Sequence, residues 1–81
     1  MILVDIQVPV LDKVYDFELD EETKVEMVLK EILALITQKE GITCEEPEKM
    51  CLYVLGQEGI LPGDATLRQQ GVSDGDRLLL I

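Results

Sequence analysis

The chain has 81 residues and a formal net charge of −10 at pH 7, from 17 acidic and seven basic side chains. This length predicts a single domain over residues 1–81, and an apolar fraction of 47% excludes a disordered acidic tail. The charge argues against nucleic acid and against anionic lipid as partners, because both are bound by clustered Lys and Arg.

The N-terminal residues have the period-two alternation of a hairpin. Apolar residues recur at every second position from Ile2 to Val8, which predicts a strand with one buried face that ends at Pro9. A turn is predicted at 11–13, and Tyr15, Phe17 and Leu19 then define a second strand. The residues that alternate with this second set are all acidic: Asp16, Glu18 and Asp20.

An amphipathic helix is predicted from Lys24 to Glu40. Its apolar face has the three- and four-residue spacing of a helix packed on one side: Val25, Val28, Leu29, Ile32, Leu33 and Ile36. Thr23 and Glu26 have the spacing of a capping box, which would satisfy the first backbone N–H groups of the helix. Gly41 lies where a left-handed C-terminal cap is expected.

The second half of the chain predicts short elements. After a polar loop at 42–49, Cys51 to Leu55 predict a third strand, followed by a turn at 57–59 and a short extended piece at 60–61. The segment 64–70 is long enough for one helical turn, anchored inward by Leu67. A turn at 73–76 then precedes a last strand, 78–81, that runs to the final residue.

The order of these elements predicts the fold class. One amphipathic helix can cover only one face of a sheet, and the segment 64–70 is too short for the second helix that a ferredoxin-like fold requires. We therefore predict an α+β, β-grasp fold: a mixed sheet (hairpin–helix–strand–short strand–strand) packed on one helix.

The sequence contains no constellation typical of catalysis, of a cofactor site or of a metal site. There is no histidine, so the usual general base and the commonest metal ligand are missing. Cys44 and Cys51 lie seven positions apart and predict reduced thiols, with a disulfide as the alternative. Asp74 and Asp76 could suggest calcium, but aspartate is common in turns, and the turn interpretation is favoured. We expect a protein that is not an enzyme and binds no cofactor.

Several short motifs resemble ubiquitin, and the resemblance covers essentially the whole chain. They are Lys39-Glu40-Gly41-Ile42 at the helix exit, Leu52-Tyr53-Val54-Leu55-Gly56, Ala65-Thr66-Leu67 and Leu78-Leu79-Leu80. A closer similarity is to the YukD/EsaB family, the small ubiquitin-like proteins of Gram-positive type VII (ESX/WXG-type) secretion systems. That similarity rests on size, acidity and the pattern Leu67-x-x-x-Gly71-Val72-x-Asp74-Gly75-Asp76-x-Leu78-x-Leu80-Ile81.

The resemblance implies a function that involves neither catalysis nor conjugation. Conjugating modifiers and sulfur carriers need a flexible tail that ends in Gly-Gly, whereas the last residues here are Leu78-Leu79-Leu80-Ile81. The family implies a non-conjugated, cytoplasmic adaptor that binds a protein partner, such as the membrane-anchored ATPase or another core subunit of the secretion machine. No signal peptide or membrane-inserting segment is predicted. The alternative is a generic ubiquitin-like interaction module of an unknown pathway.

Alternation also predicts an interaction surface on the sheet face that the helix leaves open. Its residues are Leu3, Tyr53, Leu55, Leu79 and Ile81, and ubiquitin's recognition patch lies on the corresponding face. Such a cluster of exposed apolar groups is typical of a binding site. The alternative is that these residues are covered by the C-terminal segment or the 56–63 loop, or are scattered exposed surface.

The acidic face of the second strand allows two interpretations. It could steer a basic partner, or it could deter unwanted pairing at a sheet edge. The second needs no partner and is favoured.

Overall fold

A computed structural model describes residues 1–57 and 59–81. Within them the chain forms the strands β1 (Ile2–Val8), β2 (Lys13–Leu19), β3 (Leu52–Val54) and β4 (Arg77–Leu80) and the helix α1 (Val25–Glu40). The strands lie in the order β2-β1-β4-β3. The central pair, β1 and β4, is parallel, and both outer pairs are antiparallel. This mixed sheet with one helix confirms the predicted α+β arrangement.

The core is aliphatic and lies between α1 and one face of the sheet. The inward residues of β1 alternate as predicted, from Ile2 to Val8, and they share one cluster with Val28 and Ile32 of the helix. No polar or charged side chain among the described residues is buried. The acidic side chains therefore lie at the surface, where water solvates their charge.

The outer face of β2 differs from the prediction in one respect. The strand begins at Lys13, two residues before the predicted alternation, because the 3-10 helix Pro9–Leu11 completes the turn early. Asp12 closes this turn in the left-handed conformation (φ 52°) and donates its N–H to the Pro9 carbonyl. Val14 consequently joins Asp16 and Glu18 on the outer face, so the prediction of a wholly acidic face was wrong.

The start of α1 is capped by another part of the chain and not by its own side chains. Lys24 occupies the N-cap position, and no side chain caps the helix, so the predicted capping box at Thr23 and Glu26 was wrong. The Val25 N–H donates to the Ala65 carbonyl (2.8 Å), and the Glu26 N–H donates to the Gly63 carbonyl (3.0 Å). A neighbouring loop thus satisfies the N–H groups that a helix start leaves unpaired.

A side-chain capping box does form, but at the predicted single turn near Leu67. The Thr66 hydroxyl accepts the Gln69 N–H (3.1 Å), and the Gln69 side chain accepts the Thr66 N–H (2.9 Å). The pair fixes the turn that carries Leu67, which is 0% exposed. The same stretch of chain also contacts the helix start through the isolated bridge between Lys24 and Thr66.

The end of α1 is held to the hairpin by a small polar network. Gly41 adopts the predicted left-handed conformation (φ 66°), and its N–H donates to the Thr37 carbonyl. Just before it, the Glu40 carboxylate accepts a hydrogen bond from the Tyr15 hydroxyl. The same carboxylate forms an ion pair with Lys13, with 2.9 Å between Lys13 Nζ and Glu40 Oε2. The Glu40 hydrogen bond, together with desolvation, raises the pKa of Tyr15 to about 12.

The predicted short strand at 60–61 does not form. Leu61 is buried and donates its N–H to the Leu52 carbonyl (2.8 Å), whereas Ile60 is exposed, and one hydrogen bond does not make a ladder. The third strand is shorter than predicted, and the last strand has the predicted length but begins and ends one residue earlier. The backbones of Cys51 and Ile81 still bond to each other in both directions. The predicted turn at 57–59 includes Glu58, which lies outside the described residues.

Replacement of Leu67 tests whether this single turn is an essential part of the core. Leu67→Ala would remove three carbon atoms from a fully buried site, and we expect a loss of about 2–5 kcal/mol in the free energy of unfolding. Leu35→Ala makes the same chemical change at a side chain that is 46% exposed, and we expect less than about 1 kcal/mol there. Urea unfolding followed by circular dichroism measures both, and equal losses would contradict the role of Leu67.

The Tyr15–Glu40 contact is tested by tyrosine titration. In a Tyr53→Phe variant Tyr15 is the only tyrosine left, so near-ultraviolet absorbance reports its ionisation alone. We expect a transition near pH 12, and we expect Glu40→Gln to move it toward the ordinary value of about 10 because the anionic acceptor is gone. A transition near 10 in protein that is still folded by circular dichroism would contradict the contact.

Candidate interaction surface

Four of the five predicted surface residues form a continuous apolar strip on the face of the sheet opposite α1. The register between β3 and β4 places Tyr53 beside Leu79. Two residues toward each end, Leu55 lies beside Arg77 and Ile81 lies beside Cys51, as their backbone hydrogen bonds show. We call Tyr53, Leu55, Leu79 and Ile81 the β3–β4 strip.

The strip combines exposed and half-buried side chains. Leu55 and Ile81, at its two ends, are 47% and 50% exposed, and Tyr53 and Leu79 between them are half-buried. The buried alternates Leu52, Val54, Leu78 and Leu80 fill the core on the other face. The predicted inward and outward assignment of these two strands is therefore confirmed, whereas a role of the strip in binding stays a prediction.

Leu3 lies on the same face but apart from the strip. It pairs with Glu18 of β2, and on its other side its carbonyl accepts the Gly75 N–H. The register of β1 on β4 places Gln7 beside Leu79, so Leu3 is four residues, or about 13 Å, away along the strand. Asp5 and Arg77 lie between. The expected five-residue patch is thus divided by a charged pair.

This charged row crosses the middle of the outer face. The registers place Asp16, Asp5 and Arg77 side by side on β2, β1 and β4, and Arg77 contacts Asp5 at 3.4 Å. The pKa of Asp5 lies below its ordinary value. The largest cause is its hydrogen bond with Asp16, and the next is the hydrogen bond that it accepts from Arg77. The hydrogen bond to Asp5 and its charge raise the pKa of Asp16. Two carboxylates opposite each other repel when both are ionised.

The sequence pattern did not single out this row. Alternation alone could have placed both Asp5 and Arg77 on the outer face. Their contact depends on the parallel register of strands whose paired residues are 72 positions apart, and no local pattern reports such a register.

The other candidate sites have structural explanations. The Asp76 carboxylate accepts the Ser73 N–H (2.9 Å) within the predicted turn, and the Asp74 carboxylate accepts the Leu3 N–H of β1 (2.8 Å). Cys44 and Cys51 are free and half-buried. In residues 1–57 and 59–81, no three His, Cys, Asp or Glu side chains are grouped so as to hold a metal ion.

The Asp5–Asp16 pair predicts a pH-dependent effect on stability. Because the pKa of Asp16 is raised on folding, its contribution is fully present below the unfolded pKa and is lost as pH rises through the folded value. We expect Asp16→Asn to raise the free energy of unfolding at pH 7, with a smaller gain near pH 3, where Asp16 is protonated. Urea unfolding at the two pH values measures this difference. A gain that is equal at both would contradict the pairing.

Comparison with known proteins identifies the fold. The ubiquitin-like domain of an Arabidopsis thaliana protein superimposes with a TM-score of 0.75 at 20% identity, over 99% of this chain and 74% of that one. Caldiarchaeum subterraneum ubiquitin superimposes with a TM-score of 0.74 at 23% identity, over 99% of this chain and 90% of that one. These likenesses confirm the predicted ubiquitin-like β-grasp fold.

The family is identified by its sequence model. A search of curated proteins gave no match. Among the described residues, no helix has both the length and the apolar character needed to cross a bilayer. The model of the family described as "WXG100 protein secretion system (Wss), protein YukD" matches residues 3–80. The chain therefore belongs to the YukD family of type VII secretion systems, as its resemblance to that family had indicated.

Proposed function

We propose that this protein is a cytoplasmic adaptor of a type VII secretion system that acts by binding another protein and carries out no catalysis. The observation that carries the proposal is the β3–β4 strip. In a chain with a net charge of −10, these four neighbouring outward positions are all apolar or aromatic, and Leu55 and Ile81 are about half exposed.

The composition of the strip fits a protein interface. Aromatic residues are enriched at the centres of interfaces, and charged residues are depleted there. Tyr53 provides a large aromatic side chain that ends in a hydroxyl group, and its neighbour Leu79 provides adjacent aliphatic surface. Arg77, beside Leu55, provides a basic group at the rim, where it can select an acidic partner group without being fully desolvated.

The last residues of the chain are held in the sheet. Leu78 and Leu80 are 0% and 1% exposed, and the Ile81 N–H donates to the Cys51 carbonyl (3.0 Å). Residues 78–81 are therefore part of the sheet, which fixes the outward positions of Leu79 and Ile81 in the β3–β4 strip.

The partner class follows from the family. A protein of a WXG100 secretion system is expected to bind a component of that machine, and we propose its membrane-anchored ATPase or another core subunit. The competing function is a ubiquitin-like interaction module of another pathway, which would use the same strip with a different partner.

Complementation of a deletion strain tests the adaptor role. Deletion of the gene is expected to lower export of WXG100 proteins, and the wild-type gene is expected to restore it. The double variant Tyr53→Asp/Ile81→Asp introduces two charges into the strip, and we expect it to fail. Its affinity for the purified cytosolic part of the ATPase should fall at least about 30-fold by calorimetry, the effect expected when an interface hot spot is lost.

Ile60→Asp is the matched control. Ile60 is 52% exposed, close to the 50% of Ile81, but lies outside the strip, so its variant should restore export. All variants must retain the native circular dichroism spectrum. Normal export in the deletion strain would contradict the role in secretion, and full activity of the folded double variant would contradict the strip.

A further inference from the structure

The outer edge of β2 presents backbone groups that the sheet does not use. In β1, the Leu3 carbonyl and the Asp5 N–H point toward β4, since they bond to Gly75 (2.8 Å) and Asp76 (3.1 Å). Because directions alternate along a strand, the even residues of β1 face β2, where they pair with residues 13, 15, 17 and 19. The backbone groups of Val14, Asp16 and Glu18 therefore point outward, over about 13 Å.

The opposite edge of the sheet is partly covered by the chain itself. Cys51 and Leu55 bond to β4, so the backbone groups of Leu52 and Val54 face outward. The Leu52 carbonyl accepts the Leu61 N–H (2.8 Å), and the Val54 carbonyl accepts the Gln57 N–H (3.1 Å). No corresponding hydrogen bond in the described residues covers Val14, Asp16 or Glu18. Of the two edges, the β2 edge is the one open to an added strand.

Two of the three outward side chains on this edge are acidic and form no ion pair among the described residues. They are Asp16 and Glu18, which project from the outer face. Asp16 has the carboxylate of Asp5 opposite it on β1. A Lys or Arg on a strand added beyond β2 would lie next to Asp16 and would offset this repulsion.

The inner side of the same edge opens onto a groove of mixed polarity, whose lining includes Gln38 and Lys39 beside apolar side chains. A groove of about 690 Å³ runs between β2 and α1. Phe17 is half-buried in its β2 wall, and Leu35 of the helix wall is 46% exposed. Side chains of an added strand would alternate between the acidic outer face and this groove, since successive residues point to opposite faces.

We propose that the β2 edge, formed by Val14, Asp16 and Glu18 together with the groove beside Phe17 and Leu35, binds an extended peptide of alternating basic and apolar residues as a fifth strand of the sheet. The added strand would take its hydrogen bonds from the open backbone groups. Its basic residues would face Asp16 and Glu18, and its apolar residues would enter the groove. A second copy of this chain is disfavoured at this edge because it would bring acidic strands together. This surface is separate from the β3–β4 strip.

A synthetic peptide tests the proposal directly. The probe is a fluorescent hexapeptide in which Lys and Val alternate, titrated with the full chain and followed by anisotropy. We expect saturable binding, with amide shifts and slowed amide exchange centred on Val14, Asp16 and Glu18. Two controls should not bind: a hexapeptide that alternates Glu and Val, and one of the same composition as the probe with its three Lys and three Val in blocks.

Two pairs of variants separate the backbone contribution from the charge. Glu18→Pro and Glu18→Ala both remove the carboxylate, but only proline removes the outward N–H, a change that an edge strand tolerates. We expect Glu18→Pro to bind about three- to tenfold more weakly than Glu18→Ala, the loss of one hydrogen bond. Asp16→Lys/Glu18→Lys should abolish binding of the Lys peptide and permit the Glu peptide. Glu45→Lys/Glu46→Lys makes the same change in net charge on a loop and should leave binding nearly unchanged.

Three results would overturn the proposal. The first is no saturable binding of the alternating Lys peptide by the wild-type chain. The second is equal weakening in the two charge-reversal variants, which would show attraction to the net charge alone. The third is a dimer, detected by light scattering, that Glu18→Pro dissociates, because the edge would then be occupied by a second copy. Circular dichroism confirms that each variant is folded.

Discussion

The parallel pairing of β1 with β4 is the interaction on which the other features of the molecule depend. It places Ile6 beside Leu78 at the centre of the sheet, and both side chains are 0% exposed. Parallel neighbours cannot be joined by a tight turn, so the intervening chain must cross over, and here it supplies the helix that covers one face. The same pairing leaves β2 and β3 as edges and leaves the opposite face of the sheet uncovered.

The distribution of charge follows from this arrangement. An aliphatic core that lies between one helix and one sheet face has no place for an unpaired carboxylate, and none of the described acidic residues is buried. On the open face, Asp5 and Asp16 occupy β1 and β2, whereas Tyr53 and Leu79 occupy β3 and β4. One half of the face is thus suited to basic groups and the other half to apolar groups. Two distinct partner chemistries on one small domain are consistent with an adaptor.

Local capping illustrates where pattern reasoning succeeds and fails. Gly41 was correctly predicted as the left-handed cap, since the required backbone conformation depends on that residue alone. The capping box at Thr23 and Glu26 was wrong, because the Gly63 carbonyl accepts the Glu26 N–H and the Asp20 carbonyl accepts the Thr23 N–H. A reciprocal cap of that type instead joins Thr66 and Gln69. A capping motif shows which side chains could accept the N–H groups at a helix start. Tertiary contacts determine which acceptors those N–H groups bond to in the fold.

The sequence by itself determined the order of the hairpin, the helix and the last two strands and which strand residues face inward, because alternation, helical spacing and turn residues are local properties. The family was indicated by the resemblance of its motifs. The sequence also placed Tyr53, Leu55, Leu79 and Ile81 on one face. Only the tertiary structure decided that Leu3 is separated from them and that Asp5 contacts both Asp16 and Arg77. It alone left the outward backbone groups of β2 open, while the N–H groups of residues 57 and 61 bond to two carbonyls of β3. These features depend on strand register and strand order. Both are set by packing between residues that are distant in the chain, and neither produces a periodic pattern in the sequence.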